Sequence, residues 1–349
     1  MNAMPGHHGD ARSRQCGVRT LCGPSFAAGG RTSLTAEAES RMMALDERNE
    51  IPVRKLLLIA NPNAGTRQAR RLLPGFLEIF NEAGILPSVY LTRQRGDAVD
   101  AARELGGSAD IVAACGGDGT LNEVISGLLA GHHAVPVGYI PAGSTNDFAA
   151  GLGLSPDMLQ ACRDVAAGTP RDLDVGLFAP DRCFIYTASF GLFTAVSHST
   201  PQNAKNILGH AAYILEGIRS LADVRPLHMK VTADGRTWED DYLFGTVCNS
   251  TVLGGGVLKL DDTQVHPGDG LFESILIPYP PDLPAVARLL ADCRARKYED
   301  SDLVTFIRAS RFVFESDPPI PWTLDGEKAP LSAVQVITNL HRAVRVNCP

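Results

Sequence analysis

"ADIVAACGGDGTLNEVISGLLAG", residues 109–131, decides the fold. Its first part is a short apolar run into a glycine cluster, which reads as a buried strand. The stretch "LNEVISGLLAG" that follows has helical spacing and stops at a glycine. A strand joined to a helix by a glycine-rich turn is the repeating unit of a parallel sheet, and the turn raises a chemical question. Backbone held close to a guest at a helix start suits a phosphate. Asp118, in the middle of that turn, should repel one.

Working outward, the same alternation continues on both sides. "KLLLIANP" (55–62) is a strand, "TRQARRLLPGFLEIFNEAG" (66–84) a helix interrupted at Pro74, "PSVYLT" (87–92) a strand and "DAVDAARELG" (97–106) a helix. Beyond the central stretch, "PVGYI" (136–140) is a strand and "STNDFAAGLG" (144–153) opens a helix. Buried-type strands alternating with helices predict a Rossmann-like parallel sheet covered on both faces over residues 51–170.

Near Pro170 the texture changes. "RDLDVGLF", "RCFIYTASFG", "LHMKVTA", "TWEDDYLFGTVCN", "LFESILIPY", "VTFIRASRFVFES" and "PWTLDGE" are strand-like runs, predicting a mostly β second domain over 171–349. Whether its last segment returns to the first domain is left open. One long helix is expected at 203–223, with Ile207, Ala211, Ile214, Ile218 and Leu221 along one face as a core stripe.

Composition narrows the function. The 349 residues are 44% hydrophobic, enough for two ordinary cores. A formal charge of −7 argues against wrapping nucleic acid, which needs a broad basic face. The eight cysteines form no CxxC pair and read as reduced, buried residues of a cytoplasmic protein. No run approaches the roughly 18 apolar residues of a membrane span. Residues 1–50, rich in Gly, Ser, Arg and Ala, are expected to be a disordered leader.

In an open parallel sheet, ligands bind beyond the carboxyl ends of the strands. Three loops leave such ends with special residues: "NPNAG" (61–65), "CGGDGT" (115–120) and "PAGSTND" (141–147). No GxxxxGK[ST] occurs, and Asn122 stands where the third glycine of GxGxxG would be. Phosphates would therefore meet backbone and hydroxyl groups without a dedicated lysine, so their charge requires another counterion. Mg²⁺ suits this role, because it takes one or two carboxylates together with substrate phosphates. Asp118 and Asp147 are the candidates to serve it.

These motifs, "NPNAG", "GGDGTLNEV" and "PAGSTNDFA" in that order, resemble the diacylglycerol kinase catalytic-domain family, particularly its bacterial soluble lipid kinases. "RDLDVG", "NSTVLGGG", "VHPGDGLFE" and "LDGE" follow in the family's order. The resemblance implies an NAD kinase/diacylglycerol kinase-like fold with a β-sandwich second domain and a site in the interdomain cleft. It implies ATP contacts at Asn61, Pro62, Asn63, Ala64, Gly65, Thr92, Gly116, Gly117, Asp118, Gly119, Thr120, Leu121, Asn122, Glu123 and Ser144, where the bacterial kinases usually carry threonine. It implies a structural metal held by the Asp269 carboxylate and the carbonyls of His266 and Leu271, although Phe272-Glu273 replaces the family's Leu-Asp.

It also implies that "LDGE" supplies the catalytic carboxylate. Glu327 is assigned as base, with Asp325 tuning it or joining the metal network, and the two roles could be exchanged. The expected activity is ATP- and Mg²⁺-dependent phosphorylation of a hydroxyl on diacylglycerol or a related lipid, as in phospholipid biosynthesis. The rivals are an NAD kinase-like enzyme and a non-catalytic lipid- or nucleotide-binding protein. Lipid would be met peripherally, at the inner membrane face, with Arg67, Arg70 and Arg71 as a candidate basic patch. A homodimer is left open.

Overall fold

The computed structural model describes residues 53–191, 225–256, 258–261 and 263–349. The expected leader and the expected 203–223 helix lie outside the described residues.

The first part is a four-stranded parallel sheet of β1 (Arg54–Ala60), β2 (Ile85–Leu91), β3 (Ile111–Gly116) and β4 (Val137–Pro141), in spatial order β2-β1-β3-β4. Its helices are α1 (Gln68–Glu82), α2 (Asp97–Leu105), α3 (Asp118–Ala130), α4 (Asp147–Leu152) and α5 (Met158–Ala167). β3 and β4 are buried throughout, because helices cover both faces. The alternation of strand side chains sorts them. Leu56, Leu58, Ile111 and Ala113 pack with Phe76 and Phe80 of α1 and Val165 of α5. Leu57, Ile59, Val112 and Ala114 pack with α2 and α3 through Ala98, Ala102, Leu121, Val124 and Leu128. β2 is the edge strand, and Leu86, Val89 and Leu91 on it are exposed.

Pro74 does not break α1, which runs through it. The residue is exposed, so the hydrogen bond that the ring forfeits faces solvent.

The rest is mainly antiparallel: β5 (Thr169–Phe178), β6 (Arg182–Phe184), β7 (Thr187–Gly191), β8 (Leu227–Ala233), β9 (Arg236–Cys248), β10 (Val252–Leu253), β11 (Leu258–Lys259), β12 (Phe272–Pro278), β13 (Thr305–Ala309), β14 (Arg311–Ile320), β15 (Trp322–Leu324), β16 (Glu327–Lys328) and β17 (Ser332–Cys348). A helix not anticipated from the sequence, α6 (Leu283–Ala295), follows β12. The second core gathers Phe178, Phe190, Phe314 and Trp322, with the rings of Phe190 and Phe314 each within 5 Å of Trp322 between centroids (4.8 and 4.9 Å).

β17 connects the two parts. It pairs antiparallel with β14 (Val313↔Val336) and β5 (Val346↔Arg171), and parallel with β4 at Val346↔Val137. Apart from β10 and β11, which pair only with each other, the antiparallel strands and the parallel sheet are therefore hydrogen-bonded into one continuous array.

Candidate active site

The three loops singled out in the sequence meet at the carboxyl ends of β1, β3 and β4. A Cβ on Gly65 would fall 2.3 Å from the Ala142 carbonyl oxygen, and one on Gly143 would fall 2.6 Å from Gly117 Cα. Only glycine permits backbones to approach this closely. The Ala142 N–H donates to the Gly116 carbonyl at 2.7 Å, tying the second and third loops together. Asn61 shapes the first loop, its Oδ1 accepting the Asn63 N–H at 2.9 Å, while its own N–H donates to Cys115 O. Pro62 and Ala64 complete that turn, and the buried Thr92 flanks it, its N–H donating to Ala60 O. Asn146 closes the third loop by accepting the Gly143 N–H at 2.9 Å, and Ser144 lies within that closed turn.

Asp118 begins α3, where the free N–H groups of the first turn and the helix dipole favour negative charge. Its carboxylate is buried and accepts the Asp147 N–H at 3.0 Å and the Tyr139 hydroxyl at 3.2 Å. Burial pushes its pKa up to about 6, and the charge of Asp147 adds to the rise. Asp147 is also buried, and both its oxygens accept the Gly255 N–H, at 3.0 and 2.9 Å. Burial raises its pKa against that bond. Gly254, Gly255 and Gly256 all have positive φ, so the "GGG" of "NSTVLGGG" is the backbone that caps Asp147. Tyr139 is a site residue that the sequence did not mark, and the glycine triplet belongs to a motif that the sequence marked without a role.

Asp325 and Glu327 belong to the hairpin between β15 and β16. Asp325 (φ 49°) and Gly326 (φ 84°) form its two-residue turn, the positive-φ arrangement that Asp-Gly favours. The fold gives the two carboxylates different surroundings. Asp325 is buried and accepts from the backbone N–H groups of Ile185, Tyr186 and Thr187 and from Asn122 Nδ2, at 2.7 to 3.0 Å. Burial pushes its pKa up to about 7, while those donors pull it down. Glu327 is half exposed, reaches back over the α3 turn and pairs with Arg95. Its Oε1 lies 3.3 Å from where a Cβ on Gly119 would be.

Other motif residues serve the scaffold. Asn122 Nδ2 also donates to Cys183 O, and Glu123 Oε1 accepts the Gly96 N–H at 3.0 Å. Thr120 lies against Gly116, and Leu121 is core.

The His266–Leu271 loop has a set of contacts of its own. Asp269 caps its own turn by accepting the Leu271 N–H at 2.9 Å, and its other oxygen is ion-paired with Arg308 at 2.6 Å. The His266 carbonyl already accepts the Asp269 N–H. Arg308 is thus the cation beside the loop's one carboxylate. The loop is anchored by Asp174, a buried residue of "RDLDVG" that accepts from the Gly270 and Arg342 N–H groups, each at 2.7 Å. The signal was a charge inside an apolar strand run, which is costly unless satisfied.

Known proteins resemble this chain in sequence and in fold. The family model "Diacylglycerol kinase catalytic domain" matches residues 55–178, and "YegS C-terminal NAD kinase beta sandwich-like domain" matches residues 187–347. A diacylglycerol kinase of Bacillus subtilis (strain 168) is 29% identical over 299 residues, covering 85% of this chain and 97% of that protein. One of Staphylococcus saprophyticus is 33% identical over 221 residues, covering 63% of this chain and 72% of that protein. Among solved structures, a Bacillus anthracis str. Sterne protein matches with a TM-score of 0.73 at 24% identity, covering 85% of this chain and 97% of its own. At that identity the likeness concerns the fold, a parallel α/β part followed by a β-rich part. Three glycine-bearing loops joined at the sheet's carboxyl edge lie within the residues that the catalytic-domain model matches, and with the 33% identical relative they show that this chain belongs to the diacylglycerol kinase family.

Proposed function

We propose that this kinase transfers the terminal phosphate of ATP to a hydroxyl of diacylglycerol or a related lipid, in a cleft between the three loops and the β15–β16 hairpin. The observation that carries this reading is the position of Glu327. It comes from the far end of the chain and stands over Gly119, at the start of the helix whose N–H groups favour phosphate. Phosphoryl transfer asks chiefly for positioning and charge stabilisation, with a base to accept the hydroxyl proton. The backbone N–H groups of the loops hold phosphate oxygens, and the Glu327 carboxylate takes the proton from the lipid hydroxyl. Asp325 suits this task less, because its carboxylate is enclosed by four donors.

Asp118 and Asp147 fit a magnesium ion bound largely through water: both are hard oxygen donors, and their charges oppose one another at the phosphate edge. When bound, the ion would neutralise phosphate charge for which the three loops supply no lysine.

Lipid access is proposed to be peripheral, by a cytoplasmic protein at the inner membrane face. No helix among the described residues is long and apolar enough to cross a membrane. Arg67, Arg70 and Arg71 are exposed at the start of α1, and the exposed Val89 and Leu91 approach the same end of the sheet on β2.

The test is incubation of the purified protein with labelled ATP, Mg²⁺ and a total lipid extract. A labelled phospholipid whose acceptor is a diacylglycerol is the expected product. Labelled dinucleotide on added NAD, with no labelled lipid, would overturn the reading.

A further inference from the structure

Arg95 lies in the β2–α2 turn, 232 positions before Glu327, and its guanidinium is paired with the Glu327 carboxylate across the cleft. Both side chains are accessible, Arg95 at 67% and Glu327 at 41%. An ion pair this exposed adds little to stability, so its effect would be on geometry.

The turn that carries Arg95 is held firmly. Asp97 Oδ2 accepts the Arg93 N–H at 2.8 Å and the Gln94 N–H at 3.3 Å. Gly96, at φ 88°, donates its N–H to Glu123 Oε1 at 3.0 Å, fastening the turn to the helix that begins with Asp118. Arg95 therefore projects from a turn anchored to the phosphate-loop helix, whereas Glu327 lies on β16, the short last strand beyond β15, which pairs with β7. Gly119 bounds the carboxylate on its other side, where any larger side chain would press on Oε1.

We propose that Arg95 is a positioning residue for the transfer reaction: it holds the Glu327 carboxylate over the Gly119 turn and so registers the hairpin against the phosphate loops. The proposal rests on the reading of Glu327 as the base. A guanidinium suits the task because its planar fork fixes a carboxylate's direction, which an ammonium does less well.

The test compares the parent, Arg95→Ala, Arg95→Lys, Glu327→Gln and the double variant Arg95→Ala/Glu327→Gln. Turnover is measured with ATP, Mg²⁺ and diacylglycerol in detergent micelles. Arg95→Ala should lower kcat by about 10- to 100-fold, the scale expected when a reacting group is misplaced by about 1 Å, with KM for ATP little changed. Arg95→Lys should recover part of that loss. The double variant should be no slower than Glu327→Gln alone, because Arg95 acts through Glu327. A crippled Glu327→Gln combined with losses that multiply, with an unaffected Arg95→Ala, or with an Arg95→Ala effect confined to KM for ATP overturns the Arg95 role alone. Full turnover by Glu327→Gln overturns the base assignment and the Arg95 role with it.

Discussion

Asp325 and Asn122, 203 residues apart, are joined by a 2.7 Å hydrogen bond from the Asn122 amide to the Asp325 carboxylate. The bond ties the hairpin that carries Glu327 to the helix that carries Asp118. Three backbone N–H groups of residues 185–187 converge on the same carboxylate. In Asp325→Asn an NH₂ group would replace one acceptor and face these donors. The variant should lose about 2–4 kcal/mol of stability, the scale of a broken buried network. Urea unfolding measures it, and a loss below ~0.5 kcal/mol would contradict the bridging role.

Glu327→Gln should behave in the opposite way. The residue is half exposed, so unfolding should be nearly unchanged, while kcat should fall by ~10²- to 10⁴-fold, the usual contribution of a general base. If instead this variant stays active while Asp325→Asn is folded and inactive, the two roles are exchanged.

Asp118→Asn should fold normally. The new amide oxygen can still accept the Asp147 N–H, its NH₂ can donate to the Tyr139 oxygen, and a buried charge opposing Asp147 is gone. Turnover should drop by about 10²- to 10³-fold, as for removal of one group from a preorganised electrostatic site. Titrating Mg²⁺ in the steady-state assay checks the role, because near-normal turnover at limiting Mg²⁺ would exclude it.

Glu273 sets a pH dependence of stability. It is buried on β12 with Oε1 accepting from Arg308 Nε at 3.1 Å and Oε2 unpartnered, and burial pushes its pKa up to about 7 from an ordinary 4.5. The folded state thus holds a proton that the unfolded state releases. The group's favourable contribution is complete below about pH 4.5 and is lost as the pH rises to about 7. Glu273→Gln removes that loss, so the variant should gain on the parent by roughly 1–3 kcal/mol between pH 5 and pH 8. Thermal melts across that range report it, and a constant difference would show that Glu273 stays ionised.

The Arg67→Ala/Arg70→Ala/Arg71→Ala variant should bind vesicles of phosphatidylcholine and phosphatidylglycerol up to about 100-fold more weakly than the parent, at about 1 kcal/mol per basic residue. Binding to pure phosphatidylcholine should be unchanged. Equal sedimentation of the two proteins with the anionic vesicles would leave the patch without a membrane role.

The parallel sheet was legible in the sequence because β1, β3 and β4 are nearly continuous apolar runs, the pattern imposed by burial on both faces. The loops were legible because close backbone contact at Gly65 and Gly143 tolerates only glycine, and that requirement is written locally. β17 was not. Its 17 residues include "NLHRA", which interrupts the apolar alternation where the register shifts between Leu340 and Val344. Such a strand is specified by its neighbours β14, β5 and β4 more than by its own pattern. In "LDGE" the sequence showed a hairpin turn and two carboxylates that could exchange roles. Tertiary structure separated them, since the donors that enclose Asp325 come from Asn122 and residues 185–187, and the cation beside Glu327 comes from Arg95. Hydrophobic period and turn chemistry act between neighbours in the chain and can be read from it. A carboxylate's environment is the sum of groups brought in from more than a hundred residues away, and only the folded chain assembles them.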